Sequence, residues 1–397
     1  MTRWQVRLVA IALVLGLIMV PTTSTSSQDT PDESPALQAQ LSAIPDGGTW
    51  RLLGPRTYNL REPLVAQNRS RIWIDADPGA ILSVDPSSTA FTGKAVLNLA
   101  GSRFMRIDNV RIHSAITDPT RMPTAGLAIG RGSPGDGGGG TYTDVWIEGY
   151  YALADFYDQA AEVWTWRDGY LENSYANGVC YYNSAVDGAG LTGQPSNSNT
   201  RKRFEGSTVM AQYSGNMNSK IVVLEGWLYE MQFRGTFFSF GQYGSGVVLS
   251  LEGDEANAIT QDLTIEDVRV EGADSPGGRF ILLNKPAGAY GVTLERISEN
   301  RITDYLLEIL QGDWTYGKIG THVGGAKNTR LMHVGAGAQF RLNHVTGLGD
   351  KNIVVDANAH ATENWIDWPG WGHPLEGDGV YEVDGVPQND IRYSPPR

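Results

Sequence analysis

The strongest constraint on this chain is a recurring block: a short alternating run, an acid or its amide, one turn residue, and a second short run. Six copies stand in the sequence, at Met105-Arg-Ile-Asp-Asn-Val-Arg-Ile112, Val145-Trp-Ile-Glu-Gly-Tyr150, Val222-Val-Leu-Glu-Gly-Trp227, Leu263-Thr-Ile-Glu-Asp-Val-Arg-Val270, Val292-Thr-Leu-Glu-Arg-Ile297 and Phe340-Arg-Leu-Asn-His-Val345. Alternation with a period of two marks a strand buried on one face. Each copy offers only two or three inward side chains, too few to hold a fold alone. The copies must therefore stack at ~4.8 Å into a continuous core. The residue between the two runs is Asn109, Gly149, Gly226 or Asp267, types that accept a left-handed backbone; Arg296 and His344 fill the same slot with less ease.

A second strand type lies between the blocks: Gly126-Leu-Ala-Ile129, Ala152-Leu-Ala-Asp155, Gly178-Val-Cys-Tyr-Tyr182, Gly246-Val-Val-Leu-Ser250, Arg279-Phe-Ile-Leu-Leu283, Tyr305-Leu-Leu-Glu308, Arg330-Leu-Met-His333 and Ile353-Val-Val-Asp356. Taking one residue of each as a marker gives steps of 26, 26, 69, 32, 26, 24 and 23, the long one covering two or three turns. A period near 25 with three short strands is an all-β solenoid of parallel strands. Roughly 9–12 coils of about 25 residues fill residues 44–362, with an irregular cap and tail over 363–397.

The repeat resembles the right-handed parallel β-helix of the pectate-lyase-like superfamily, which includes pectin-degrading enzymes and tailspike depolymerases. The entry segment carries the same resemblance: Ile44-Pro-Asp-Gly-Gly-Thr-Trp50, Arg56-Thr-Tyr-Asn-Leu60, Pro63-Leu64 and Pro78-Gly-Ala-Ile81 look like a first coil of that superfamily. The resemblance spans roughly residues 44–360 and implies a fold, which hosts lyases, hydrolases, epimerases and adhesins alike. It carries over no catalytic residue. The Asn-Thr-Asp, Asp-Asp, Gly-His-Gly and Arg-Ile-Lys motifs of polygalacturonase-like hydrolases do not occur here, and Val145-Trp-Ile-Glu-Gly149 lacks the histidine of the calcium pectate lyase block.

Charge and composition narrow the partners. With 31 basic and 44 acidic residues the net charge is −13, and the one dense basic run is Arg201-Lys202-Arg203. That excludes a nucleic-acid partner and makes neutral glycans easier to bind than polyanionic ones. The single cysteine, Cys180, permits no internal disulfide, and the six histidines show no metal-ligand spacing, so no metal site is expected. Calcium enters only if the protein is a lyase acting on uronates. Arg3 and Arg7, the apolar run Leu8–Val20 and the small polar stretch after Pro21 read as a signal peptide over 1–27, followed by a flexible linker over 28–43. The expected location is extracytoplasmic, with no stable membrane insertion after cleavage.

Glycoside hydrolysis needs two carboxyl groups, about 5 Å apart for retention or 6.5–9.5 Å for inversion. Neighbouring coils can supply either spacing. The candidates are Asp155, Asp158 and Asp187, with Asp155 expected to face outward by strand alternation. Aromatic residues crowd the same stretch, and Tyr157, Trp164, Trp166 and Tyr182 are candidate sugar-stacking platforms. Arg131 and Arg167 are nearby cations that a lyase would use against a uronate. The block acids Asp108, Glu148, Glu225, Glu252, Glu266 and Glu295 read as a ladder of outward charges that keeps strand faces soluble. The expected function is therefore a secreted polysaccharide-binding protein, either a glycoside hydrolase or lyase, or else an adhesin or viral fibre element. The expected oligomeric state is a monomer or a trimer, as in tailspike relatives.

Overall fold

The computed structural model describes residues 30–130, 139–185, 200–211, 219–240, 246–254, 258–271, 278–300, 305–320, 322–324, 330–346, 353–366, 375–378, 380–383 and 386–387. Among these the chain winds through three sheets of nineteen, ten and twelve strands, called here sheets I, II and III. Strand pairs are parallel between successive coils, apart from an antiparallel pairing of Glu382 with Pro387 and Val383 with Val386 near the C-terminus. This is a parallel β-helix.

Sheet III shows how the sequence holds its register. Leu97, Leu127, Phe156, Tyr181, Val222, Leu249, Ile281, Leu307, Met332 and Ile353 pair in one unbroken row. All ten are buried in a single core. The long interval between Tyr181 and Ser250 is two turns, because Tyr181 pairs with Val222 and Val222 with Leu249. In the middle coils the core turns aromatic: Phe156 and Trp166 lie 4.7 Å apart, Trp164 and Phe204 5.1 Å, and Phe204 and Phe233 5.2 Å. Each ring adds roughly 0.5–1.5 kcal/mol per close partner to what its burial contributes.

One left-handed residue per coil closes the bend between sheets I and II: Asn109, Asp144, Asp168, Gly206, Gly235, Asp267 and Arg296, with φ from 50° to 63°. The N–H groups of the first six donate to the next coil, as from Asn109 to the Thr143 carbonyl and from Asp168 to the Glu205 carbonyl, both at 3.0 Å. Asn109, Asp267 and Arg296 thus take the bend that their position in the blocks indicates. His344 does not; it lies in a strand, and Leu342 at φ 56° makes the turn instead. Gly149 is left-handed at φ 114°, where a Cβ would sit 2.0 Å from the Ser114 carbonyl oxygen.

The six blocks are not equivalent. Those starting at Met105, Leu263, Val292 and Phe340 place their first run in sheet I, the Val145 block lies in sheet II and the Val222 block in sheet III. Alternation ending in an acid encodes a strand and a turn, and says nothing about which of three sheets receives it. The acid ladder accordingly breaks into register pairs: Glu148 with Glu172 on sheet II, Glu266 with Glu295 on sheet I, and Glu225 with Glu252 on sheet III. Arg296 neutralises the sheet I pair, contacting Glu266, Asp267 at 2.6 Å and Glu295 at 3.1 Å.

The linker expected over 28–43 is corrected from Ser34 onward. Helix α1 (Ser34–Ala43) begins with proline in its first turn and buries Leu37 and Leu41, one helical turn apart, in the solenoid core. Gln38 accepts from the Val65 amide at 2.8 Å and donates to the Val65 carbonyl at 2.9 Å, standing in for a missing strand at the first coil. The helix covers an edge that would otherwise be open. Among the described residues no helix is long and apolar enough to cross a membrane.

Candidate functional site

The outward positions of sheet III hold the titratable side chains most favourably placed for chemistry. One row runs Tyr157, Tyr182, Val223, Ser250, Leu282, Glu308 and His333. The next outward row runs Ser184, Glu225, Glu252 and Asn284. Glu225 and Glu252 are register partners, so their backbones stand one coil apart, ~4.8 Å. Two hydroxyls address Glu225: the Tyr182 phenol donates to Oε2 and the Ser184 hydroxyl lies 3.4 Å from the same oxygen. Glu252 accepts from the Ser250 hydroxyl and pairs with the Lys220 ammonium.

Beneath this pair lies Lys285, wholly buried, donating to the Gly226 carbonyl at 2.7 Å and to the Thr260 hydroxyl at 3.0 Å. Burial pushes its pKa down to about 7, against the opposing pull of Glu225. The Tyr182 phenol is shifted upward, first by burial and then by its bond to Glu225, so it stays a proton donor across the physiological range. The arrangement can bind hydroxyl-rich ligands and transfer a proton: two half-buried carboxylates, a neutral phenol, two hydroxyls and one surface ammonium.

The residues singled out from sequence fare differently. Asp155 and Asp158 are both wholly buried, which corrects the expectation that Asp155 faces outward and removes both from contact with a glycan. Around this position the ladder skips from Ala154 to Phe156, so Asp155 turns inward next to its neighbour instead of alternating with it. Neither of its carboxyl oxygens has a partner of hydrogen-bond geometry; the Cys180 thiol is close by, but its proton goes to the Met210 carbonyl at 3.1 Å. Burial, with Glu172 adding to it, holds Asp155 well above the usual carboxylate range.

Asp158 is an interior anchor. It accepts from the Ala161 amide at 2.7 Å, the Trp164 indole at 2.9 Å and the Tyr181 hydroxyl at 3.1 Å, and it pairs with the buried Lys202. Trp164 and Trp166 belong to the internal aromatic stack, and Tyr157 is buried in a small outer cluster with Ala128, Ala154 and Val223. These three are corrected from sugar platforms to packing residues. Tyr182 alone of the four proposed platforms keeps a half-exposed ring on the outer face. Arg167 is exposed on sheet I and bonds its register partner Glu205 at 2.8 Å. Arg131 and Asp187 lie outside the described residues.

Sequence reasoning placed Glu225 and Glu252 in a ladder of outward charges and not among the catalytic candidates. The missed signal was the polar run Tyr182-Asn-Ser184 one coil earlier, legible only once the two-turn interval places it beside Val223 and Glu225.

Full-length tailspike protein 2 from Escherichia coli O157:H7 bacteriophage CAB120 matches over 90% of this chain and 45% of its own, at 12% identity and TM-score 0.52. The N-terminal fragment of bacteriophage Phi29 gene product 12 matches over 91% of this chain and 71% of its own, at 8% identity and TM-score 0.53. A polygalacturonase from Erwinia carotovora ssp. carotovora aligns over 90% and 94% at 9% identity and TM-score 0.48. The fold this chain shares with the two phage proteins is the parallel β-helix. The chain spans less than half the length of the tailspike it matches, and likeness at this identity concerns the fold alone. No protein-family model and no curated protein sequence matches the chain.

Proposed function

We propose that the protein is a secreted polysaccharide-binding β-helix that hydrolyses glycosidic bonds on the outer face of sheet III, with Glu225 and Glu252 as its acid and base pair. The observation that carries this reading is their register: two carboxylates on adjacent coils of one face, Glu225 accepting from the Tyr182 phenol and Glu252 from the Ser250 hydroxyl. A glycosidase requires two such groups facing one bond, one able to hold a proton and one able to stay charged. The two differ in their partners: Glu252 pairs with the Lys220 ammonium, whereas Glu225 accepts from the Tyr182 phenol.

The Lys220 contact also favours a second reading, a non-catalytic glycan adhesin, because an ion-paired Glu252 is already neutralised. One screen separates the two. Purified protein is incubated with neutral and acidic polysaccharides, reading reducing ends and absorbance at 235 nm. Hydrolysis predicts reducing ends without the absorbance signal, and a loss of at least about a hundredfold in Glu225→Gln and in Glu252→Gln. Release of unsaturated uronates would replace hydrolase with lyase, and silence with retained binding would leave the adhesin.

A further inference from the structure

We propose that the C-terminal coils of sheet I carry a second glycan site, for a neutral oligosaccharide, independent of the Glu225 and Glu252 pair. An open cavity of about 290 Å³ is lined there by Gln339, Arg341, His360, Thr362 and Glu363. Gln339 pairs with His360 and Arg341 with Thr362, while Phe340 and Ala361 between them are buried. The four polar side chains therefore rise from two adjacent strands on one face. Together with Glu363 they present amide, guanidinium, imidazole, hydroxyl and carboxylate groups, the mixture of donors and acceptors that a sugar's hydroxyls match.

Aromatic rings stand on the same side of the helix. Tyr290 and Tyr316 are exposed with centroids 4.9 Å apart, and Trp365, 65% exposed, is the most exposed large apolar side chain among the described residues. Tyr290, Thr315, Arg341 and Thr362 follow one another in register, so the tyrosine pair continues the line of the cavity along the axis. Trp365 lies two residues beyond the lining residue Glu363 in the same coil. Exposed rings next to a polar hollow suit the apolar face of a pyranose.

The supporting scaffold is hydrogen-bonded from one coil to the next. Under the bends at Tyr316, Leu342 and Glu363 runs a buried amide ladder: the Gly317 N–H donates to Asn343 at 2.7 Å, Asn343 donates to the Trp314 carbonyl at 3.0 Å and to Asn364 at 3.1 Å, and Asn364 donates to the Phe340 carbonyl at 2.8 Å. A site fixed in this way loses little freedom on binding. Charge selects the ligand class. Arg341 faces Asp313 at 3.7 Å and Glu363 joins the same wall, so the cation is offset locally and a uronate or sulfate finds no surplus positive charge.

The test uses the full chain carrying Glu225→Gln and Glu252→Gln, so that turnover at sheet III cannot consume the probe. An array of neutral oligosaccharides with uronate and sulfate counterparts identifies the best binder, and calorimetry then measures its affinity. The expected result is a neutral ligand whose affinity falls at least tenfold in Tyr316→Gly and in Trp365→Ala, and stays within threefold in Tyr316→Phe. Tyr316 sits at φ 54°, where glycine is at ease, so Tyr316→Gly should melt no lower than its parent. Preference for acidic glycans, no binding at all, or affinities unmoved by both ring deletions would overturn the proposal. Failure of the catalytic reading appears separately, as absence of released reducing ends from the unsubstituted protein.

Discussion

Asp155 with Asp158, and Glu225 with Glu252, are pairs of acids on the same sheet, the second pair two and three coils beyond the first, with opposite fates. The first pair is sealed in the interior, where one carboxyl is held by an amide, an indole, a phenol and an ammonium, and the other lacks a bonded partner. The second pair is half-buried on the outer face, Glu225 facing the Tyr182 and Ser184 hydroxyls and Glu252 the Ser250 hydroxyl. Asp155 and Asp158 share one strand and Glu225 and Glu252 lie on neighbouring ones, and in both cases the register decides which face receives the acid. A carboxylate next to aromatics is a groove residue only if the alternation holds up to that position, and at Ala154–Gln159 it does not.

If the interior pair is structural, it should control stability. Lys202→Met leaves Asp158 buried without its counter-charge and is expected to cost about 3–5 kcal/mol in chemical denaturation. Adding Asp158→Leu to Lys202→Met should recover much of the loss, because the uncompensated charge goes with it. A loss below about 1 kcal/mol in the single variant would show that Asp158 reaches solvent, and the comparison would collapse.

Asp155 gives the next largest effect, with the opposite sign. Its raised pKa in the fold means that the folded chain holds a proton which the unfolded chain releases near pH 4. Stability from this group is therefore present in full at low pH and declines as pH rises toward the folded value. Asp155→Asn, neutral at every pH, should gain about 1–3 kcal/mol at pH 7 and flatten that slope. An Asp155→Asn protein less stable than its parent would mean that the carboxyl has a partner.

How much of this was legible follows from the same physics. The solenoid, the alternating strands and the left-handed bends at Asn109 and Asp267 were open to reading, because each depends on a local pattern of two to eight residues. The sheet receiving each block was not, since Val222–Gly226 and Leu263–Asp267 share a pattern and lie on different sheets. Nor was helix α1, whose ten residues bury only Leu37, Leu41 and Ser34, too few to show a period. The site at Glu225 needed the alignment of Tyr182 with Val223 across 41 positions, which no local signal supplies.

A third acid of sheet III sharpens the contrast with a smaller effect. Glu308 is nearly buried, yet it contacts Arg279 and lies 3.0 Å from His333 Nδ1, while His333 Nε2 lies 3.0 Å from Asp356 and the imidazole stacks on Tyr305 at 5.1 Å. The bond to Glu308 raises the His333 pKa, with burial opposing and Asp356 assisting. The contribution is complete below the unfolded value of 6.5 and is lost as pH rises through the folded one. Melting temperature should thus fall across neutral pH in the parent, and His333→Gln should make that decline shallower. An unchanged pH profile in His333→Gln would assign the slope elsewhere.

The smallest effect belongs to the outer pair, and its smallness is the point. Glu225 and Glu252 each have a solvent-facing side and a partner that can turn to water, so Gln in either place keeps the volume and most of the bonding. Expected changes in unfolding free energy are within about 0.5 kcal/mol, as for surface positions without a cavity or an unpaired buried charge. Lys285 supplies the condition that could break this expectation, since it lies buried near Glu225 with its pKa pushed down to about 7. Without the Glu225 charge its neutral form is favoured further, and the loss stays small at pH 8 but grows toward pH 6, where the lysine would have to take a proton inside the protein. A large loss already at pH 8 would place Glu225 with Asp158 among the residues that hold the fold. Glycan cleavage lost in Glu225→Gln would then report unfolding instead of chemistry.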